Sequence, residues 1–95
     1  MAYIHISNSK GRTIEDFRAV SAKHDAPQDI DGLLAWAAGS DGSGLQVVTV
    51  WQSQAHKDRW QAEQLIPVFQ EFGMAEDVLA NTEFTEYEAD EFYVR

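Results

Sequence analysis

The chain has no cysteine among its 95 residues. Disulfides, thiolate nucleophiles and cysteine-held metals are therefore excluded. Basic residues are scarce too: seven Lys and Arg stand against sixteen Asp and Glu, for a formal net charge of −9. Such a surface repels nucleic-acid phosphates and anionic membranes, so neither is expected as a partner. The charge reads as a source of solubility. No apolar run approaches the ~20 residues that span a bilayer. Met1–Ile6 has neither the basic nor the long apolar stretch of a secretory leader, which reads as a cytoplasmic protein. Internal repeats, low-complexity segments and linkers are missing, and the expectation is a single domain over residues 1–95. There is no H-x-x-x-H or H-E-x-x-H spacing, no Gly-rich loop opening a helix and no nucleophile elbow.

What is present is a clear order of elements. Gly39-Ser40-Asp41-Gly42-Ser43-Gly44 separates two apolar runs, Leu33–Ala38 and Leu45–Trp51. A short polar, Gly-rich link between strand-like runs reads as a β-hairpin. Tyr3–Ser7 alternates with period two and reads as a first strand, with Asn8–Arg12 as a loop. Thr13 and Asp16 fit a capping box, and Ile14, Phe17, Val20, Ser21 and His24 form one stripe of a first helix that Pro27 must end. Ser53 caps a second helix, Gln54 to about Leu65, which Pro67 either kinks or restarts. Met74–Ala80 is open between loop and helical turn. Glu83–Glu88 and Phe92–Val94 read as a last strand broken near Ala89-Asp90.

The resulting order, β-α-β-β-α-β, predicts an α+β, ferredoxin-like fold: a four-stranded antiparallel sheet with helices on one face. The second sheet face also carries large residues, and exposed apolar surface of this kind calls for cover. A homodimer packed face to face supplies it.

Gly44-Leu45-Gln46-Val47-Val48-Thr49-Val50-Trp51-Gln52-Ser53-Gln54-Ala55-His56, continuing through Arg59-Trp60 to Gln64-Leu65-Ile66-Pro67, resembles the dimeric α+β barrel proteins grouped with the antibiotic biosynthesis monooxygenases. In that group a strand ends in Trp, a Ser-like cap follows, and the next helix carries an aromatic midway and a Leu-x-Pro exit. The motif covers roughly a quarter of the chain and speaks for fold more than for function. The resemblance implies a homodimer that binds a small apolar or aromatic ligand. Members include cofactor-independent quinone-forming oxygenases, haem-degrading enzymes, isomerases, cyclases of polyketide-type substrates and proteins with no known activity. The Asn-Trp-His trio of the haem-degrading branch has no counterpart here, since the first strand offers His5 in place of Asn.

Two histidines are candidates for proton transfer, because imidazole titrates near neutral pH. His5 lies mid-strand among apolar residues, and His56 shares a helix face with Trp60 and Glu63 at i, i+4, i+7. Each also has a plain reading: His5 as a satisfied core histidine, His56 as a solvated first-turn residue. Trp36, Trp51, Trp60, Phe17 and Tyr87 supply an aromatic set that either lines a ligand pocket or fills a core. His24 is either a ligand contact or the C-terminal cap of the first helix. The expected function is a cofactor-independent monooxygenase, or a cyclase or isomerase, acting on an aromatic or polyketide-like substrate by histidine-assisted proton transfer. The rival is a non-catalytic dimeric binding or stress-response protein, with a filled core and no cavity. No metal or cofactor is called for.

Overall fold

The structure, a computed structural model, describes residues 2–95. The elements run β1 (Tyr3–Lys10), α1 (Ile14–Ser21), a 3-10 turn (Pro27–Asp29), β2 (Leu33–Ser40), β3 (Gly44–Trp51), α2 (Gln54–Trp60), a π-helical segment (Gln61–Leu65), α3 (Ile66–Glu71), α4 (Ala75–Asn81) and β4 (Thr82–Glu88). The strands form one antiparallel sheet in the order β2-β3-β1-β4. This is the ferredoxin-like βαββαβ arrangement, with the stretch after β3 enlarged into several helical pieces.

Local chemistry explains the elements. Thr13 caps α1 in a full capping box, taking the Asp16 N–H on its side chain while its own N–H donates to the Asp16 carboxylate at 2.9 Å. Ser53 caps α2, accepting from the His56 N–H. The hairpin turns on Asp41-Gly42-Ser43, with Gly42 at φ +93° and Asp41 accepting the Ser43 N–H at 3.0 Å. β1 runs three residues beyond the expected Ser7. Its polar end finds cross-strand partners: Gln46 Nε2 donates to Asn8 Oδ1 at 2.9 Å, and the Ser9 and Thr82 hydroxyls meet at 2.9 Å.

Pro67 does not break the second helical stretch. The chain stays helical from Gln54 to Glu71 because it widens into a π turn just before the proline, where the Ile66 N–H reaches back five residues to the Gln61 carbonyl. The wider turn carries the preceding carbonyls clear of the pyrrolidine ring, which an α-helix does not. Met74–Ala80 resolves as α4. Phe92–Val94 is not a strand: β4 ends at Glu88, and the register continues only through the Ala89 N–H to the Ala2 carbonyl at 2.9 Å.

The pairing register sets the two faces. Tyr3, His5, Ser7 and Ser9 of β1 share a face with Leu45, Val47, Thr49 and Trp51 of β3 and with Thr82, Phe84 and Glu86 of β4. The four helices all lie on this side. Ile4, Ile6, Val48, Val50, Thr85 and Tyr87 point to the other side, where no described helix lies. Trp51 is the fully buried anchor, packed with Tyr3 and Ile30. No described helix is long and apolar enough to cross a membrane.

Candidate functional site

A cavity of about 360 Å³ opens between the sheet and the helices. Its walls are mainly apolar: Phe17 and Val20 of α1, Leu45, Val47 and Trp51 of β3, Leu65 and Phe69 on the long helical stretch, and Val78 and Leu79 of α4. A broader, shallower groove of about 730 Å³ lies at the hairpin end of the sheet, but it holds no histidine and no buried charge. The buried polar side chains, His5 and Lys57, both line the smaller cavity.

One end of that cavity is polar. His5 projects from central strand β1 and is 8% exposed. Its ring tilts against Phe84 at 5.5 Å between centroids. The nearest polar neighbours of Nε2 are the Gln61 side-chain amide at 3.4 Å and Glu86 Oε2 at 3.9 Å. Both exceed the usual 2.7–3.2 Å of a firm hydrogen bond, so the nitrogen keeps accepting capacity for a cavity ligand. Burial pushes the His5 imidazole below its ordinary value, more than the Glu86 charge pulls it up. The ring is thus neutral at neutral pH and able to take a proton.

Beside His5 lies a charged cluster. Lys57 is 4% exposed, and its Nζ sits 2.7 Å from Asp58 Oδ1 and 2.8 Å from Glu86 Oε1. It also stands over the Tyr3 ring, 5.7 Å from the centroid. Burial works against the Lys57 charge, but the hydrogen bonds to Asp58 and Glu86 outweigh it and hold the ammonium above its ordinary value. Glu86 Oε1 also accepts the Tyr3 hydroxyl at 2.7 Å. The Lys57 and Tyr3 hydrogen bonds hold Glu86 below the usual carboxylate range, and the same contact raises Tyr3. Two carboxylates and an aromatic face thus occupy the Lys57 ammonium.

The structure sorts the sequence candidates. His5, Trp51, Trp60, Phe17 and His24 line the cavity. Trp60 lies between Trp51, at 5.4 Å, and His24, which meets it edge-on at 5.2 Å. Its indole Nε1 is buried without a partner among the described residues, whereas Trp51 Nε1 donates to Thr49 at 2.8 Å. His24 is no helix cap, since α1 ends at Ser21 and His24 Nδ1 meets the Asp25 carbonyl at 2.9 Å.

Three candidates lie elsewhere. His56 points away from the cavity, with Nδ1 2.6 Å from Ser53 Oγ and Nε2 3.7 Å from Asp31, its ring against Gly32. Trp36 is on the helix side but on edge strand β2, where it stacks on the outer side of Phe17 at 5.5 Å and stays 46% exposed. Tyr87 pairs with Ile4 and so faces the open side of the sheet. The helix face turned to the cavity is Lys57, Trp60, Gln61 and Leu65, not His56, Trp60 and Glu63. Lys57, Gln61, Glu86 and Tyr3 had no sequence signal as site residues; the one hint is that Lys57 and Gln61, at i, i+4, share a helix face with Trp60. Among the described residues no group of three His, Asp or Glu side chains is arranged to hold a metal ion.

Solved structures share this architecture. An assigned antibiotic biosynthesis monooxygenase from Chloroflexus aurantiacus superposes with a TM-score of 0.68, over 99% of this chain and 98% of that one, at 15% identity. The fold is that of the antibiotic biosynthesis monooxygenase structures. A Mycobacterium tuberculosis protein of the same fold matches with a TM-score of 0.69, over 99% and 100% of the two chains, at 14% identity. SnoaB, a cofactor-independent oxygenase from Streptomyces nogalater, matches with a TM-score of 0.59, over 96% and 94%, at 12% identity. At such identities the likeness to the monooxygenase structures is one of fold. No protein-family model matches the chain, and no curated protein matches it.

Proposed function

We propose that this chain binds an aromatic or polyketide-like small molecule in the cavity and that His5 removes a proton from it, without a cofactor. The observation that carries this reading is a buried, neutral histidine whose Nε2 is only loosely held at the polar end of an apolar cavity. An apolar pocket with a few placed polar groups suits such a ligand. Proton removal leaves an electron-rich enolate or phenolate that reacts directly with oxygen; in a cyclase or isomerase the same proton transfer suffices. Of the two histidines named from the sequence, His5 lines the cavity and supports this reading, while His56 points away from it. The presence of a cavity favours the catalytic reading over a binder with a filled core.

Anthrone is a suitable probe, because an enolisable tricyclic ketone plus one O2 gives anthraquinone plus one water. Oxygen uptake with anthrone is expected, together with quenching of Trp51 and Trp60 fluorescence. His5→Ala is expected to lower the rate by about 10²–10⁴-fold, as for loss of a general base, while His56→Ala retains it. Turnover that survives His5→Ala rules out the His5 base. The rate rises with pH as His5 loses its proton, at a pH below the ordinary imidazole value, and is level above it.

The same reading includes a homodimer in the cytoplasm. The side of the sheet without helices presents Ile4, Ile6, Val48 and Tyr87, and Tyr87 is 51% exposed. A second copy laid against this face buries it. Light scattering at micromolar concentration is expected to give twice the 10.7 kDa chain mass.

A further inference from the structure

We infer that Glu86 is a positioning residue for His5: one of its oxygens is fixed by Lys57 and Tyr3 so that the other serves as the charge partner His5 acquires on taking a proton. This rests on the proton-transfer reading of the cavity. The geometry divides the carboxylate in two. Oε1 is occupied by Lys57 Nζ at 2.8 Å and by the Tyr3 hydroxyl at 2.7 Å. Oε2 faces His5 Nε2 at 3.9 Å, too far for a hydrogen bond to the neutral ring. Without its two anchors, a glutamate on edge strand β4 turns out to water. With them it stays aimed at the imidazole while bound more tightly elsewhere.

The charges follow the proton. In the resting site Lys57 is positive and Asp58 and Glu86 negative, which leaves one net negative charge beside a neutral His5. When the substrate's C–H or O–H bond breaks, the electron pair stays on the substrate and the proton moves to His5. The cluster then has no net charge, and the imidazolium faces an ionised carboxylate. At 3.9 Å the carboxylate favours the imidazolium by its charge, while the new Nε2–H stays directed at the substrate. The groups facing His5 are Tyr3 on its own strand, Glu86 and Phe84 from β4, Lys57 and Asp58 from α2, Gln61 from the π segment and Thr49 from β3. Of these charges Glu86 and Asp58 favour the imidazolium and Lys57 opposes it. Glu86 is the carboxylate with an oxygen aimed at the ring.

The test is titration of the His5 imidazole by nitrogen-15 NMR in the ligand-free chain. Glu86→Gln keeps an acceptor for Lys57 and Tyr3 but removes the charge, and the His5 midpoint is expected to fall by about one unit. Tyr3→Phe takes one anchor from Oε1 and leaves every charge in place, and the midpoint is expected to fall by a smaller amount. Falls are the signature of this arrangement, because general loosening of the site exposes the ring and raises the midpoint. An unmoved or raised midpoint in Glu86→Gln overturns the inference, as does one in Tyr3→Phe. If Glu86→Gln does not fold, Tyr3→Phe decides alone: a fall supports the inference and no fall overturns it. No substrate enters this measurement. Normal shifts with no anthrone turnover reject the functional reading, while turnover without the shifts rejects only the role of Glu86.

Discussion

Gly32→Ala is expected to be one of the most costly single-methyl changes in this chain, and His56 is the reason. Gly32 has φ +82°, where an L side chain carries a backbone cost of about 1–2 kcal/mol. A Cβ built there also runs into the His56 ring and lies 2.6 Å from the His56 Cβ. Neither neighbour is free to retreat. The Gly32 carbonyl accepts the Gln52 N–H at 2.7 Å, and the His56 ring is held by Ser53 at 2.6 Å. Overpacking of this kind costs about 1–3 kcal/mol. The total is about 2–5 kcal/mol, a fall in Tm on the order of 10–30 °C for a chain of this size. Urea unfolding followed by circular dichroism, at constant m, measures the change. The clash component is isolated by repeating Gly32→Ala in His56→Ala, which removes the ring but keeps Cβ, and in His56→Gly, which removes both. The cost is expected to fall stepwise toward the backbone component of about 1–2 kcal/mol. Equal costs in all three backgrounds refute the packing argument, and with it the structural role given to His56.

Further outcomes follow from the same coordinates. Trp51→Phe loses the hydrogen bond to Thr49 and volume at a fully buried site, and should destabilise by about 2–3 kcal/mol. Trp60→Phe also deletes a buried N–H that has no partner among the described residues, so its net cost should be under about 1 kcal/mol; equal costs for the two variants contradict this. Stability against pH should be greatest between about pH 6.5 and 10. His5 is held below 6.5, so the unfolded chain binds its proton first and stability falls as pH drops under that value. The lowered Glu86 adds a second loss below 4.5, and the raised Tyr3 and Lys57 give losses as pH rises above 10.0 and 10.5. Denaturation midpoints across this range check the signs. Ile6→Asp places a charge on the open sheet face, and is expected to give monomer mass in light scattering while ligand quenching in the cavity persists.

The fold was legible because its signals are local. The Thr13–Asp16 box, the Ser53 cap and the Gly-rich hairpin act within a few residues, and the β-branched run of β3 needs no distant partner to be strand-like. Errors fell where cross-strand contacts decide. Asn8–Lys10 reads as loop until Gln46 and Thr82 come alongside, and the π turn before Pro67 is a compromise between a continuing helix and a ring without an N–H. His5 amid an apolar strand, Trp51 at the end of β3 and Trp60 midway along the second helix are legible from residue type and position together, and all three line the cavity. The inward face of α2 was mistaken because Lys57 reads as a solvent residue. Asp58 and Glu86 together make its burial tolerable, and the 28 residues between Lys57 and Glu86 hide that second partnership from any periodicity.

The Tyr3–Lys57–Glu86 cluster also bears on the order in which the chain is assembled. Tyr3 and Glu86 are 83 residues apart, and Lys57 stands about two-thirds of the way along that interval. A ribosome that has released β1, β3 and α2 has made most of the cavity walls, but has yet to release the carboxylate that neutralises the lysine facing them. Until β4 arrives, close docking of α2 leaves an ammonium with only Asp58 for company. The last strand thus completes the sheet and the charge balance in one step.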